Sequence, residues 1–218
     1  MYDPDKYKNK ASRSQPSQAR GKERVRQILA AALELFKERG LDEVTTNDIA
    51  DRARVPIGSL YRYFPNKDSI LVALTELYVD DVSKIFAGIG KHPLLKYLSW
   101  EEVLLLMVDG WVNYSRLSGP FTFLYVELGN PRLRDQTSES WQKLSAAFGA
   151  VLKKRCPGLT VRQMVVCFSL CGTAASMGSG DYNSRAGQDL HHDAVRGIAA
   201  YMEQVCGALA GPDDDVLA

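Results

Sequence analysis

Thr46, Asn47, Ser59, Tyr61, Arg62, Tyr63 and Lys67 fall close together in a chain of 218 residues, carrying hydroxyls, an amide, a guanidinium and an ammonium. None of these is a nucleophile beside a general base. They are groups that hold phosphate oxygens or read the edges of bases. Asn47 and Arg62 are suited to bidentate pairing, asparagine with adenine and arginine with guanine. Thr46 is expected at a helix N-terminus, where a hydroxyl and free N–H groups favour a phosphate. Tyr61 and Tyr63 bring phenols that can reach the backbone flanking a groove, and Lys67 brings a point charge. Gly58 lets a helix approach base edges closely, and Ser59 can donate to phosphate or base. Pro56 and Ile57 offer apolar contact to thymine methyls.

Other chemistry is poorly represented. The sequence contains no Gly-x-Ser-x-Gly, no phosphate-cradling glycine-rich loop and no His-Glu-x-x-His. His92, His191 and His192 lie in or beside expected breaks, and no third ligand stands in register with the adjacent pair. Cys167 and Cys171 share a helical face, but no basic neighbour activates them, and Ser169, Gly172 and Ala174 around them suggest tight packing. No catalytic residue, cofactor or metal site is expected.

The elements that must position the polar cluster are short helices. Val25, Ile28, Leu29, Ala32, Leu35 and Phe36 recur at helical spacing and predict a helix over Lys22–Arg39, closed by Gly40. Thr45 is placed to cap a second helix, whose inner face is Ile49, Ala50 and Ala53. Pro56 suits the first position of a third, with Leu60 and Phe64 inward and Pro65 stopping it. Asn66 caps a long fourth helix through about Ala87, with Ile70, Leu74, Leu77, Tyr78 and Val82 on one side. The pattern is helix, turn, helix, with the second of that pair carrying the exposed polar groups.

The residues quoted resemble the N-terminal domain of the TetR family of transcriptional regulators. The matching pattern is Ile28-Leu-Ala-Ala-Ala-Leu-Glu-Leu-Phe36, Gly40, Val44-Thr-Thr-Asn-Asp-Ile-Ala50, Gly58-Ser-Leu-Tyr-Arg-Tyr-Phe64 and Asn66-Lys-Asp68. The resemblance implies Thr46, Tyr61 and Lys67 as phosphate clamps, and Asn47, Pro56, Ile57, Gly58 and Arg62 nearer the bases. The basic segment through Arg20, Lys22 and Arg24 is expected to reach along the adjacent minor groove or backbone.

Beyond Gly88 the expected segments are Ser99–Leu117, Pro120–Leu128, Pro131–Lys154, Thr160–Met177 and His191–Leu209, broken by glycine, proline and polar runs. Large aromatics between helices are the usual walls of a small-molecule site. Tyr78, Met107, Trp111, Tyr114, Phe123, Glu127, Trp141, Phe148 and Cys171 are the expected pocket. Phe121 and Tyr125 belong to the same aromatic group. Asp109 and Glu127 interrupt apolar stretches, and a carboxylate there needs a partner: an arginine, a helix N-terminus or a cationic ligand. The last two long segments, one rich in small residues and one striped with Ala194, Val195, Ile198, Met202, Val205 and Leu209, suit a four-helix contact between two copies. The resemblance implies the same arrangement.

Charge is unevenly placed. Residues 1–64 hold thirteen Lys/Arg against nine Asp/Glu, and residues 65–218 hold fourteen against seventeen, within a formal net charge of +1. Excess positive charge at one end suits a phosphate-binding segment. No apolar run approaches the ~20 residues of a membrane span, and the polar, basic N-terminus carries no secretory pattern. The four cysteines fit a reducing cytoplasm.

The expected fold is therefore all-α: a flexible basic arm (1–19), a three-helix DNA-binding domain with a helix-turn-helix (20–66), a larger helical ligand-binding and dimerisation domain (67–210) and an acidic tail (211–218). The expected function is a homodimeric repressor on a palindromic double-stranded operator, released by a small, largely apolar effector. A transcriptional activator or a helical small-molecule-binding protein of the same fold is the alternative. No membrane association is expected.

Overall fold

The structure is a computed structural model and describes residues 15–117, 134–181 and 185–210. Every regular element among them is an α-helix. The expected helix Pro120–Leu128, the aromatics Phe121, Phe123 and Tyr125, Glu127 and the acidic tail lie outside the described residues. The chain divides into two compact units, Met1–Asp80 with Ser118–Ser140, and Asp81–Leu117 with Trp141–Ala218. The division falls within a helix, whereas the sequence places a boundary at 66/67.

In the first unit, α1 (Gln15–Arg39) starts before the Lys22 suggested by its apolar stripe. Residues 15–21 include Gln, Ala, Arg and Ser, most of them good helix formers, so the helix continues where the stripe does not. Val25, Ile28, Ala32, Leu35 and Phe36 are all at most 2% exposed. Gly40 closes α1 at φ 81°, donating its N–H to the Phe36 carbonyl at 2.9 Å. A left-handed residue at this position satisfies the free carbonyls of the last turn.

α2 (Thr46–Arg52) is closed at its start by a reciprocal cap. The Asp48 N–H donates to Thr45 Oγ1 at 3.2 Å, and the Thr45 N–H donates to Asp48 Oδ2 at 2.8 Å. The Thr45 hydroxyl, which donates to Asp48 Oδ2, and then the Thr45 N–H hold the Asp48 carboxyl below the ordinary carboxylate range. Arg54 turns the chain at φ 55°, a left-handed conformation uncommon for a residue with a Cβ. Pro56 is the N-cap of α3 (Ile57–Tyr63), one position before the helix whose first residue the sequence suggested it to be. Its carbonyl accepts from Ser59 at 2.8 Å and from Leu60 at 3.2 Å.

Asn66 Oδ1 accepts from the Ser69 N–H at 2.8 Å, capping α4 (Lys67–Ile89). Ile70, Leu74, Tyr78 and Val82 are buried as the spacing predicts, and Leu71, Ala73 and Val79 widen the face, while Leu77 is half-buried.

The second unit contains the end of α4, α5 (Trp100–Leu117), most of α6 (Arg134–Arg155), α7 (Val161–Asp181) and α8 (Arg185–Ala210). α5, α7 and α8 pack pairwise on one another. Ser99 and Glu102 cap α5 reciprocally, and Thr160 and Gln163 do the same for α7. α7 and α8 both extend into the polar run 178–189 that the sequence read as a break.

Candidate nucleic-acid interface

The α2–turn–α3 module presents most of the polar cluster on its surface. Asn47, Pro56, Gly58 and Arg62 are exposed, Ile57 is 38% and Tyr61 49% exposed, and Thr46 and Ser59 are half-buried. A Cβ on Gly58 would meet nothing within 4 Å, so the surface there is open to a large partner. On the opposite side Leu60 and Phe64 are fully buried, which fixes how α3 is rotated. Thr46 Oγ1 lies 3.0 Å from Tyr61 Oη, joining the start of α2 to the middle of α3. Two hydroxyls expected to grip phosphate are thus adjacent, and they bond to each other.

Two expectations change. Tyr63 is not a surface residue: it is 7% exposed, because it follows Leu60 by three positions and shares the inward face. Its hydroxyl accepts a hydrogen bond from Arg62 Nη2 at 2.9 Å, and the guanidinium lies 4.9 Å from its ring centroid. Lys67 is half-buried, and its Nζ donates to the carbonyls of Leu41 at 2.6 Å and Val44 at 3.0 Å. It therefore staples the start of α4 to the connector before α2. Loop carbonyls leave no mark in a side-chain pattern, so the sequence could not show this role.

Arg52 also escaped the sequence reading. It bonds Glu38 through two nitrogens at 3.0 and 2.8 Å and reaches Glu34 at 3.4 Å, tying α2 back to α1. Of the basic segment expected to follow the backbone, Arg20, Lys22 and Arg24 are exposed on α1.

The expected pocket residues divide. Tyr78, Met107, Phe148 and Cys171 are fully buried and Trp111 is 2% exposed. In the second unit Phe86 meets Trp111 and Phe148 edge-on at 5.9 and 5.5 Å, and Trp111 stacks on Phe168 at 5.8 Å. These rings form a closely packed core. Trp141 is half-buried against Phe168 at 5.0 Å and borders a groove of about 490 Å³ between α6 and α7. Tyr114 is half-buried and donates to Asp81 Oδ2 at 2.9 Å. Phe123 and Glu127 are outside the described residues.

Asp109 does have a partner in the fold. His191, fully buried on α8, places Nε2 3.0 Å from Asp109 Oδ1 and Nδ1 3.3 Å from the Ala174 carbonyl. The histidine read as lying beside a break thus joins α5, α7 and α8. The signal was the lone carboxylate on an apolar helix; its partner stands too far along the chain for spacing to reveal.

Cys167 and Cys171 are free, buried thiols, and a hydrogen bond with Cys167, together with burial, pushes Cys171 up. Burial and the neighbouring Cys156 thiol push Cys206 up to about 12, opposed by Arg155. Such thiols are poor nucleophiles. Among the described residues no three His, Cys, Asp or Glu side chains are grouped to hold a metal ion, and no helix is long and apolar enough to cross a membrane.

Residues 28–74 match the model of the bacterial regulatory proteins of the tetR family. The match is confined to the segment that holds the helix-turn-helix, and there the chain resembles that family. The curated relatives agree over the same module. The HTH-type transcriptional repressor KstR of Rhodococcus jostii (strain RHA1) is 46% identical over 52 residues, 24% of each chain. The class G tetracycline repressor of Vibrio anguillarum is 45% identical over 49 residues, 22% of this chain and 23% of its own. The chain thus spans only about a quarter of the length of these relatives.

Solved structures extend the likeness in fold. A tetR-family transcriptional regulator from Streptomyces coelicolor superposes with a TM-score of 0.66 at 22% identity, covering 86% of this chain and 83% of its own. FadR of Bacillus subtilis, solved in complex with stearoyl-CoA, gives 0.61 at 20% identity, covering 80% and 97%. These likenesses, all below 25% identity, show a shared fold, and every regular element among the described residues is an α-helix.

Proposed function

We propose that the protein is a repressor that binds a palindromic DNA operator as a homodimer and leaves it when a small, largely apolar effector binds. The observation that carries this reading is the two-sided α3. Leu60 and Phe64 are buried on one side, while Ile57, Gly58, Tyr61 and Arg62 stand exposed on the other. A helix so divided can enter the major groove without disturbing its own core.

One short helix gives little specificity, and two held about one DNA turn apart read both halves of a palindrome. The exposed side of α7 supports pairing. Val161 is 70%, Val165 44%, Val166 38% and Leu170 44% exposed, a helical strip of apolar side chains. Leu190 and Leu209 on α8 are likewise exposed, at 56% and 45%. The apolar, aromatic composition of the second unit supports an apolar effector. Control follows from linkage: an effector that prefers the conformation with badly spaced reading helices weakens DNA binding by that preference. Lys67 favours α4 as the lever, since moving its first turn pulls on the Leu41–Val44 connector. A DNA-binding regulator of this kind works in the cytoplasm.

Gel shifts with DNA from upstream of the protein's own gene test the reading. Binding is expected to weaken steeply with salt, as phosphate contacts require, and to be reversed by an apolar effector found by screening. Activation of the bound promoter would replace repression by the activator reading; no DNA binding at all would overturn both.

A further inference from the structure

Tyr63 combines a buried ring with a hydroxyl engaged by Arg62, the one cation on the same helix, which is exposed. The ring is 7% exposed and fixed on the face that holds Leu60 and Phe64. Its oxygen accepts from Arg62 Nη2 at 2.9 Å, while the guanidinium carbon stands 4.9 Å from the ring centroid. A hydrogen bond and a cation–π contact from one rigid phenol therefore act on one flexible side chain. Tyr61, two positions away, is engaged differently, with its hydroxyl 3.0 Å from Thr46 Oγ1 on α2.

We propose that Tyr63 is a positioning residue for base reading: it holds the Arg62 guanidinium in one orientation at the exposed face of α3 and thereby sets sequence discrimination without touching DNA. This rests on the DNA-reading function proposed above. Bidentate recognition of guanine requires the plane of the guanidinium to match the base edge. An exposed arginine samples many rotamers, and fixing one on binding costs entropy. A side chain already held loses less, so the correct base gains more than the incorrect ones. The guanidinium has five N–H donors, and one bond to a phenol leaves enough for a bidentate pair.

The test starts from an operator selected from random duplexes by the full-length wild-type protein, followed by a panel of single base-pair substitutions. Arg62→Ala identifies the base pair read by Arg62 as the position where discrimination collapses. Tyr63→Phe keeps the ring and removes the hydroxyl; its melting temperature is measured alongside, and Tyr63→Phe in the Arg62→Ala background completes a double-mutant cycle. The expected result is a loss of about tenfold in discrimination at that base pair, within the range of one good bidentate contact. Discrimination elsewhere and the salt slope stay unchanged, and the second substitution adds nothing when Arg62 is absent. A uniform loss of affinity at every sequence, with a shallower salt slope, would instead make Tyr63 a phosphate contact and overturn the proposal. So would an unchanged Tyr63→Phe profile. If the wild type selects no sequence, the DNA-reading function itself fails; an operator selected equally well by wild type and Tyr63→Phe removes only the positioning role.

Discussion

Replacing His191 by alanine is expected to be among the most damaging single changes in the second unit. The ring is fully buried, and it bonds Asp109 of α5 at 3.0 Å and the Ala174 carbonyl of α7 at 3.3 Å from its place on α8. A carbonyl only accepts, so Nδ1 is the donor in the contact with Ala174. Emptying the space of a buried ring costs about 2–3 kcal/mol. Depriving Asp109 of this partner adds only about 1 kcal/mol, because its side chain is 34% exposed and regains part of its hydration. The sum, about 3–4 kcal/mol, corresponds to a fall in melting temperature on the order of 10 °C for a chain of this size. Asp109→Asn keeps the shape and an acceptor for the ring, and is expected to cost about 1 kcal/mol. Thermal unfolding followed by circular dichroism, at fixed protein concentration so that association does not confuse the comparison, gives both values. His191→Ala melting within about 2 °C of wild type would refute the reasoning, since the ring would then hold nothing that the helices lack without it.

Other outcomes follow from local geometry. Arg54→Gly relieves a left-handed φ that costs a non-glycine residue about 1 kcal/mol, partly offset by the freer unfolded chain; urea unfolding should find it neutral to about 1 kcal/mol more stable, and Arg54→Val clearly less stable. Thr45→Ala removes the α2 cap and should cost about 1 kcal/mol at neutral pH. Because Asp48 is depressed in the folded state, its part in that cap is present above the ordinary aspartate range and is lost as pH falls through the lowered value; in acid titration the gap between wild type and Thr45→Ala should narrow there, the remainder being the Asp48 N–H bond to the Thr45 hydroxyl. Cys206, pushed up to about 12, should be alkylated slowly at pH 8, with a rate still rising about tenfold per pH unit at pH 10, where an ordinary thiol has levelled off; mass spectrometry of the labelled peptide shows which holds.

What the sequence made legible was local. The α1 stripe, the left-handed Gly40, the Thr45 and Asn66 caps and the inward Leu60–Phe64 pair all rest on spacings of a few residues, where side-chain type and helical period suffice. The start of α1 at Gln15 and of α8 at Arg185 were hidden because both leading segments are polar. Polarity removes the apolar stripe without removing helix propensity. Tyr63 misled because a phenol suits surface and core alike, and only its three-residue step from Leu60 told against exposure. Lys67 and His191 were hidden for another reason. Their partners are loop carbonyls and an aspartate distant along the chain, and such contacts exist only once the helices have packed. Of the aromatics expected to wall a pocket, Trp111 and Phe148 pack on Phe86 and Phe168 while Trp141 borders a groove, a distinction that composition cannot make.

In the proposed function two copies of α3 read a symmetric duplex. Selection of random duplexes by the full-length wild-type protein tests it most directly. An enriched inverted repeat is expected, with half-sites about one helical turn apart and with sequence preference lost in Arg62→Ala. Enrichment of no sequence, or of a single asymmetric site bound by one copy, would contradict it.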